Sequence, residues 1–516
     1  MSEFIADLLY ESAARRPEKI ALVDERSELS YAALAQRVAY FAQAMIALGL
    51  RDKGRVAVFM DKSIDACAVV LAAMRAGGIA VPLNPKLKQQ QLRHILLDCT
   101  AQLLFTTTAR QAELSGGIED LETRVVLCDQ PGSLPEIVRG EAALHCSIDK
   151  DPAALLYTSG STGQPKGVVI SHRNLVAGCQ AVNSYLGTTE DDVVLALLPI
   201  SFDAGLSQLT TGLAAGARVV LHTPMLAPVV ARLVARQGIT MITAVPPLWS
   251  LLTQAQWDKV DTASVRLFAN TGGHMNAGLL AQLRGIFPSA RPFLMYGLTE
   301  AFRSTYLDPS EVDRRAGSIG KAIPGAEILV LNAEGEVCAP GEPGELVHRG
   351  ALVTLGYWNA PAQTAERFRP LPSRLCSGLT PEYAVWSGDI VKQDAEGFLY
   401  FVGRRDEMIK SSGYRISPTE IESLIVAWPE VREVAVFGVP AGDLGDAIYA
   451  VVVAAGVGDE QERLKSSLEA QCRKALPSFM MPRLVWLPEL PRSANGKIDR
   501  PQLRRVCIAL HGGAEA

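Results

Sequence analysis

The chain has 516 residues, more than one ordinary hydrophobic core supports, so two or more domains are expected. Hydrophobic residues make up 48% of it and charged residues 20%, a globular composition that excludes a disordered chain. The net charge of -5 gives no electrostatic basis for binding nucleic acid.

No segment predicts secretion or a membrane span. Acidic residues occur between Met1 and Asp7 before any apolar core, unlike a secretory signal. The most apolar region, Ala66 to Leu83, is interrupted by Arg75 and two glycines, so we expect a buried helix and strand there. The nine cysteines include no CxxC pair and suggest neither a disulfide framework nor a zinc site. These features favour a cytoplasmic protein without a membrane partner.

Residues 1 to about 150 alternate helix-like and β-rich runs. Tyr31 to Leu48 is helix-like, and Ser30 is placed to cap that helix. Ile20 to Val23 and Arg55 to Phe59 are β-rich. The alternation predicts a parallel sheet covered by helices, although the spacing gives no strand order.

A glycine- and hydroxyl-rich segment follows, with three glycines, four hydroxyl side chains and one lysine within ten residues. An apolar run that predicts a strand precedes it, and a β-rich run follows it. Because glycines turn backbone N–H groups toward an anion and Lys166 adds a point charge, the pattern predicts a polyphosphate site. A flexible linker is the alternative, although linkers are seldom flanked by strand patterns on both sides. The predicted ATP-binding residues of this segment are Thr158, Ser159, Gly160, Ser161, Thr162, Gly163 and Lys166.

The run from Tyr157 to Gly167 resembles the signature of the AMP-forming adenylating enzymes. That superfamily holds acyl-CoA synthetases, the adenylation domains of nonribosomal peptide synthetases, and luciferases. The resemblance implies ATP and Mg²⁺ as cofactors. Together with the α/β alternation, it implies a large N-terminal domain of helix-covered sheets with a small barrel-like β layer, and a mobile, smaller α+β C-terminal domain.

An aspartate within an apolar stretch is the first candidate for recognising the substrate. Alone, Asp203 is more typical of a helix N-cap than of a ligand. In the amino-acid-activating branch of the family, however, a similar Phe-Asp-Ala motif places its aspartate against the substrate's α-ammonium group. Many simple acyl-CoA synthetases have a histidine where Phe202 falls. Since a buried ammonium needs a nearby carboxylate, the motif favours an amino or imino acid as substrate.

Two turns after β-rich runs contain glycines, which let a flat ligand approach the backbone closely. The second turn resembles a family motif in which Tyr296 stacks on adenine, Thr299 contacts the α-phosphate and Glu300 helps to hold magnesium. A lone carboxylate is usually solvated, but magnesium is commonly held by one or two carboxylates together with substrate phosphates. The turn residues expected at the nucleotide are Gly272, Gly273, Tyr296 and Gly297.

Arg303 follows the second turn, and by position it is expected near the acyl pocket. Three interpretations remain open: a cation for a second carboxylate on the substrate, a partner of Asp203, or a surface arginine. The string from Ala301 to Thr305 also resembles the acyl-CoA ligases associated with exosortase systems. The residues expected at the acyl substrate are Phe202, Asp203, Thr271 and Arg303.

Two further motifs lie near the expected domain boundary. Asp389 belongs to a motif in which the family's aspartate binds both ribose hydroxyls, with serine here in place of the family's threonine. Arg404 is implied to contact ribose, and Asp406 to be the hinge for rotation of the C-terminal domain. A charged, exposed linker would give the same local pattern. Gly413 and Tyr414 resemble the loop that lines the family's thiol tunnel.

The last motif places a lysine after Asn495-Gly496, a turn signal. Most lysines are solvated surface residues. The resemblance implies instead that Lys497 bridges the substrate carboxylate and the α-phosphate, which makes Lys497, Thr299 and Glu300 the expected catalytic residues. We therefore expect an adenylate-forming domain over 1–403, a hinge over 404–406 and a lid domain over 407–516.

These patterns predict an ATP-dependent ligase that activates an acid, preferably an amino or imino acid, as its adenylate. The acceptor would be the phosphopantetheine thiol of a discrete acyl or peptidyl carrier protein. One alternative is an acyl-CoA synthetase that acts on an unsubstituted acid, with CoA as acceptor. The other is a non-catalytic nucleotide-binding homologue, against which the joint presence of Lys166, Glu300, Asp389 and Lys497 argues.

Overall fold

The structure, a computed structural model, describes residues 3–113, 117–118, 120–136, 145, 147–159, 165–376, 378–405, 407–411, 414–441, 446–455, 461–476, 480–493 and 497–511. The chain divides into two compact units. The large unit comprises Met1–Leu329 and Val347–Trp386, and the small unit comprises Val330–Leu346 and Ser387–Ala516. The chain is a mixed α/β protein, as the sequence predicts.

The α-helices of the described residues are α1 (Ile5–Arg15), α2 (Tyr31–Ala47), α3 (Ile64–Arg75), α4 (Gln89–Asp98), α5 (Thr108–Ala112), α6 (His172–Leu186), α7 (Asp203–Ala215), α8 (Ala227–Gln237), α9 (Pro246–Leu252), α10 (Ala277–Ile286), α11 (Pro361–Arg367), α12 (Pro418–Val426), α13 (Gln461–Ala475) and α14 (Arg500–His511). Short 3-10 helices span Trp257–Lys259, Thr299–Ala301 and Ser373–Leu375.

The strands of the large unit, including those that continue beyond it, are β1 (Ile20–Val23), β2 (Glu28–Ser30), β3 (Arg55–Phe59), β4 (Ile79–Pro82), β5 (Leu103–Thr106), β6 (Arg124–Leu127), β7 (Pro152–Ser159), β8 (Pro165–Ser171), β9 (Val193–Ala196), β10 (Arg218–Leu221), β11 (Met241–Ala244), β12 (Leu267–Asn270), β13 (Arg291–Tyr296), β14 (Thr305–Leu307), β15 (Ser318–Ala322), β16 (Ala326–Leu331), β17 (Pro343–Gly350), β18 (Phe368–Pro370) and β19 (Tyr383–Gln393). The remaining strands are β20 (Leu399–Arg404), β21 (Ile409–Ser411), β22 (Tyr414–Ile416), β23 (Val431–Pro440), β24 (Asp446–Ala454) and β25 (Arg483–Trp486).

One sheet of the large unit has the order β6-β5-β3-β4-β7-β8. Its first five strands run parallel, and β8 returns antiparallel to β7. Helix α3 is buried over nearly its whole length, as expected for the apolar region that begins at Ala66. Ser30 caps α2 as predicted, because its side chain accepts a hydrogen bond from the Ala33 N–H group.

A second group of nine strands follows the order β2-β1-β10-β9-β11-β12-β13-β14-β15. The strands from β1 to β13 in this order are parallel, while β2, β14 and β15 are antiparallel to their neighbours. The carboxyl ends of β9, β11, β12 and β13 therefore meet at one edge of the sheet. Ligands of open parallel sheets bind outside this edge, and we call it the carboxyl edge.

The small unit contains a three-stranded sheet of order β23-β24-β25 and the hairpin β21-β22. Helix α12 begins with Pro418, and its cap residue Ser417 accepts a hydrogen bond from the Glu420 N–H group. The helices and strands expected in this region are present, which confirms the predicted α+β character of the smaller domain. Among the described ranges, no helix has both the length and the apolarity that a membrane crossing requires.

Candidate active site

The glycine-rich segment joins two paired strands. β7 and β8 are antiparallel, with Thr158 opposite Lys166 and Ser159 opposite Pro165. The strand patterns predicted on both sides of the segment are therefore confirmed. Gly160, Ser161, Thr162 and Gly163 lie outside the described residues. A side chain at Gly167 would come within 3.0 Å of the Tyr157 ring, which explains the glycine after the lysine.

Lys166 and Glu300 are connected through Tyr357. The segment around Tyr357 pairs with β8, since the Trp358 N–H group donates to the Gly167 carbonyl at 2.7 Å. The Lys166 Nζ atom lies 5.8 Å from the centre of the Tyr357 ring, and the Tyr357 hydroxyl donates to Glu300 Oε1 at 2.5 Å. Burial and the Glu300 carboxylate raise the pKa of Tyr357, so the hydroxyl stays a donor.

Sequence reasoning missed Tyr357 as a functional residue. The hydroxyl and its acceptor are 57 positions apart. No local pattern connects them, because contacts between distant segments bring them together, among them the hydrogen bond from the Thr354 N–H group to the Glu300 carbonyl.

The turn after β13 is compact. Tyr296 ends the strand, and the Ser304 N–H group returns to donate to the Tyr296 carbonyl at 3.1 Å. A side chain on Gly297 would lie 3.1 Å from the Arg303 Cα atom, so the turn leaves little room for anything larger than glycine. The predicted residues Tyr296, Thr299, Glu300 and Arg303 are thus carried by one short loop of the carboxyl edge.

Phe302 holds this loop in an unusual backbone conformation. Its φ is +57°, a region that non-glycine residues rarely adopt. The ring is 1% exposed, and it packs so closely on Gly178 of α6 that an added Cβ there would lie 2.6 Å from it. Packing of this ring therefore stabilises the strained conformation that directs Glu300 and Arg303.

Arg303 is buried, which excludes the interpretation as a surface arginine. Its side chain is 3% exposed, and Nη1 donates to the hydroxyl of Thr271. Nε is buried without a hydrogen-bond partner. Among the described residues no acidic oxygen lies within 4.0 Å of the guanidinium. The pairing with Asp203 that the sequence left open is therefore absent from the structure.

Asp203 begins α7 after the carboxyl end of β9 and is half-buried. Phe202, which precedes it, occupies the N-cap position, so the N-cap interpretation of Asp203 is wrong by one residue. The Asp203 Oδ1 atom accepts a hydrogen bond from the adjacent Ala204 N–H group at 2.6 Å. The helix is anchored by Gln208, whose amide donates to carbonyls of β9 and β11 at 3.1 Å each. Asp203 is thereby held at the carboxyl edge.

The first glycine turn occupies the same edge, after β12. The Thr271 N–H group donates to the Ala244 carbonyl at 3.1 Å, and Thr271 itself is buried. Gly272 has a φ of +72°, and a side chain at Gly273 would approach Pro246 to 3.1 Å. Both glycines are exposed, so this backbone is accessible to a flat ligand.

In the small unit, Asp389 and Arg404 face each other across β19 and β20. The Arg404 Nε atom lies 3.0 Å from Asp389 Oδ1, and Asp389 is 4% exposed. Glu345, which sequence reasoning missed, accepts a hydrogen bond from the Gly388 N–H group at 2.9 Å and pairs with Arg405. These contacts fix the backbone on which Asp389 lies.

The remaining predicted residues are only partly described. Asp406 and Gly413 lie outside the described residues, and of Tyr414 the structure gives the backbone pairing with Ser411 in the β21-β22 hairpin. Lys497 is exposed. The Ser493 N–H group donates to the Lys497 carbonyl at 2.8 Å, next to an antiparallel bridge between Arg492 and Ile498.

The described residues contain no group of three or more histidine, cysteine, aspartate or glutamate side chains arranged to hold a metal ion. Glu300 presents a carboxylate beside the Tyr357 hydroxyl. Such a site suits Mg²⁺, which proteins often bind with one carboxylate and the phosphates of a substrate.

The fold and the site define a nucleotide-dependent ligase, and comparison with known proteins agrees. The model of the AMP-binding enzyme family matches residues 9–358, and that of the AMP-binding enzyme C-terminal domain matches residues 420–497. The chain belongs to the AMP-binding enzyme family.

Relatives of this chain use different acids and acceptors. It is 32% identical to the L-proline–[L-prolyl-carrier protein] ligase of Pseudomonas fluorescens, over 98% of this chain and 99% of that one. It is 29% identical to a long-chain-fatty-acid–CoA ligase of Escherichia coli O157:H7, over 97% of this chain and 94% of the other.

A similar solved structure is that of O-succinylbenzoate coenzyme A synthetase from Bacillus subtilis, in complex with ATP and magnesium ion. It superposes with a TM-score of 0.83 at 28% identity, over 96% of this chain and 99% of that one.

Proposed function

We propose that this AMP-forming acid–thiol ligase activates an amino or imino acid and transfers it to the phosphopantetheine thiol of a separate carrier protein. The observation that carries the proposal is the position of Asp203. Its carboxylate begins α7 at the carboxyl edge, and no basic group of the described residues lies within 4.0 Å of it. A carboxylate in this position is suited to a substrate ammonium group.

The similarity to the L-prolyl-carrier protein ligase supports the same conclusion, because it extends over nearly the whole of both chains. That relative is named for an imino acid and a carrier protein. The similarity to the fatty-acid–CoA ligase is nearly as extensive. This second similarity supports the alternative function, in which the enzyme makes a CoA thioester from an unsubstituted acid. Asp203 would then have a structural role.

The chemistry requires two half-reactions, since a carboxylate is a poor electrophile toward a thiol. The enzyme uses ATP and Mg²⁺: the substrate carboxylate attacks the α-phosphate, pyrophosphate leaves, and the thiol then displaces AMP. Catalysis of the first step rests on orientation and charge neutralisation, without a protein nucleophile. Bound Mg²⁺ supplies positive charge at the phosphates.

In the large unit, the β7-β8 hairpin with Lys166 would bind the phosphates, and Tyr296 would stack on the adenine. Thr299 would contact the α-phosphate. Glu300 would hold the metal, with its carboxylate oriented by the hydrogen bond from Tyr357.

In the small unit, the paired side chains of Asp389 and Arg404 would bind the ribose. Lys497 would neutralise charge at the α-phosphate during adenylation. For thiol transfer, rotation about Asp406 would withdraw Lys497 and present the loop at Gly413 and Tyr414 to the pantetheine arm. The hinge and the thiol loop are proposed from the family resemblance.

The test is a loading experiment followed by mass spectrometry. The enzyme is incubated with ATP, Mg²⁺ and either pooled amino and imino acids or pooled unsubstituted acids, and each pool is offered CoA and phosphopantetheinylated carrier proteins. An aminoacyl thioester on a carrier supports the proposal. A CoA thioester of an unsubstituted acid supports the alternative, and the absence of AMP with every pool would indicate a non-catalytic homologue.

A further inference from the structure

Arg303 carries a positive charge that no acidic group of the described residues pairs with. The side chain is 3% exposed, its Nη1 atom is bonded to the neutral Thr271 hydroxyl, and its Nε atom has no hydrogen-bond partner. Burying a charge is costly unless it is paired and hydrogen-bonded. A protein that keeps such a group at a ligand-binding edge requires an anion from outside.

Two other arginines of the large unit are paired with carboxylates. Arg266 lies 2.6 Å from the buried carboxylate of Asp192 and donates with two nitrogens to its two oxygens. Arg349 pairs with Glu382 at 2.6 Å. Both of these arginines have an acidic partner, and Arg303 differs from both in this respect.

The position of Arg303 indicates which ligand supplies the anion. The side chains of Glu300 and Arg303 point in different directions from the same turn. Glu300 contacts Tyr357 beside the phosphate-binding hairpin, whereas Arg303 contacts Thr271 at the end of the neighbouring strand β12. The guanidinium is thus directed away from the expected phosphates and toward the residues expected at the acyl substrate.

The surroundings of Arg303 suit a small organic acid. The guanidinium is close enough to Tyr185 of α6 to lower the pKa that burial raises in that phenol. The Tyr185 hydroxyl contacts the Met295 sulfur at 3.1 Å, and the ring stacks on Tyr306 at 4.2 Å. A planar guanidinium with one adjacent hydroxyl is matched in shape by a carboxylate, which can accept two parallel hydrogen bonds.

We propose that Arg303 and Thr271 bind a second carboxylate of the substrate, so that the enzyme activates dicarboxylic acids, with or without an α-amino group. This inference rests on the proposed function, because it names the class of acid that the same site accepts. Arg303 would determine specificity. It would raise the affinity for acids that carry a second carboxylate, and it would take no part in making or breaking bonds.

The test compares matched acids in ATP–pyrophosphate exchange. The pairs are L-glutamate with L-glutamine, L-aspartate with L-asparagine, and glutarate with valerate. We expect the wild type to prefer the member with two carboxylates in at least one pair by about 100-fold in kcat/KM, since a site built around a buried charge discriminates strongly against an analogue that lacks the matching charged group. Arg303→Met should lose this preference mainly through a higher KM, and Arg303→Lys should keep part of it.

The outcomes separate this inference from the proposed function. Equal or better exchange with the members that have a single carboxylate, unchanged in Arg303→Met, overturns the inference while leaving the ligase assignment intact. The absence of exchange with every acid, the pooled amino and unsubstituted acids included, contradicts the proposed function.

A melting experiment without substrate tests Arg303 independently of activity. Because no acidic group of the part of the chain that the structure describes pairs with Arg303, we expect Arg303→Met to melt at the same temperature as the wild type or higher. Arg266→Met is the matched control, and it should melt several degrees lower because it leaves the Asp192 carboxylate buried and unpaired. A comparable loss in Arg303→Met would show that Arg303 is structural and would overturn the inference.

Discussion

Two groups of charged side chains at the carboxyl edge differ in how far the protein satisfies them. The Glu300 carboxylate accepts a hydrogen bond from the Tyr357 hydroxyl. The backbone carbonyl of Glu300 accepts another from the Thr354 N–H group at 3.0 Å. Asp203 and Arg303 carry opposite charges, and neither has an ion-pair partner within 4.0 Å among the described residues. The first group is held by protein contacts, and we propose that a substrate completes the second.

The small unit follows the first pattern. Asp389 is paired with Arg404, and Glu345 is paired with Arg405 and a backbone N–H group. The groups proposed to bind the nucleotide are thus held by protein contacts in each unit. The relatives are named for different acids. We therefore propose that the protein itself holds the groups that contact the nucleotide and leaves those that contact the acid for the substrate.

The largest effect is expected for Lys497→Ala. Removing the lysine that would neutralise charge at the α-phosphate should lower adenylation by about 10³-fold, as the loss of one preorganised charge-stabilising group does in other enzymes. Transfer from a supplied acyl-adenylate to the thiol should remain largely intact. The two rates are measured separately by ATP–pyrophosphate exchange and by thioester formation. An equal loss of both would contradict the alternation of the C-terminal domain.

Substitution of Glu300 tests the preorganised group. Glu300→Gln keeps an acceptor for Tyr357 but removes the charge, so we expect about a 100-fold loss of exchange activity and a rise in the Mg²⁺ concentration required. Tyr357→Phe, the matched control, removes only the hydrogen bond and should cost about tenfold. If Glu300→Gln kept the Mg²⁺ dependence of the wild type, the metal role would be wrong.

Substitution of Asp203 tests the group left for the substrate. Asp203→Asn preserves size and removes the charge, so activation of amino acids should fall by about 30-fold, the value of a hydrogen bond to a charged group. Activation of acids without an amino group should change little. The measurement is kcat/KM for both kinds of acid. Equal effects on both would assign Asp203 a structural role.

The smallest expected effect is on the pH dependence of stability, through a buried histidine that contacts the loop carrying Arg303. His348 is fully buried, and its Nδ1 atom lies 3.0 Å from the Ser304 hydroxyl. Burial lowers the pKa of His348 to about 4, and that of His172 likewise to about 4. Because the unfolded state binds these protons near pH 6.5, stability should be complete above that pH and fall as the pH decreases toward 4.

Each such histidine contributes at most about 1.4 kcal/mol per pH unit to the free energy of unfolding. Urea denaturation between pH 7.5 and 4.5 measures the slope, and His348→Gln should show a shallower one than the wild type. Identical slopes would mean that His348 does not stay neutral in the folded state.

Sequence patterns predicted the local structure well. Arg55 to Phe59 forms β3 with the predicted bounds, and Ser30 caps α2. The β-rich flanks of the phosphate-binding segment form β7 and β8. These features depend on residues close together in the chain, where periodicity and capping have a direct physical cause.

Contacts between distant residues could not be predicted in this way. Three features depend on strand order, which no spacing reveals: the hydrogen bond from Tyr357 to Glu300, the burial of Glu345, and the lack of an acidic partner for Arg303 among the described residues. The hinge at Asp406 and the thiol loop at Gly413 stay predictions, since both residues lie outside the described part of the chain.

The most direct test of the account is substrate-dependent ATP–pyrophosphate exchange with Mg²⁺, measured for the wild type and Asp203→Asn with pooled amino and imino acids and with pooled unsubstituted acids. The account predicts exchange with the amino and imino acids that falls in Asp203→Asn. Exchange only with unsubstituted acids, unchanged by the substitution, would contradict it and leave CoA as the leading acceptor.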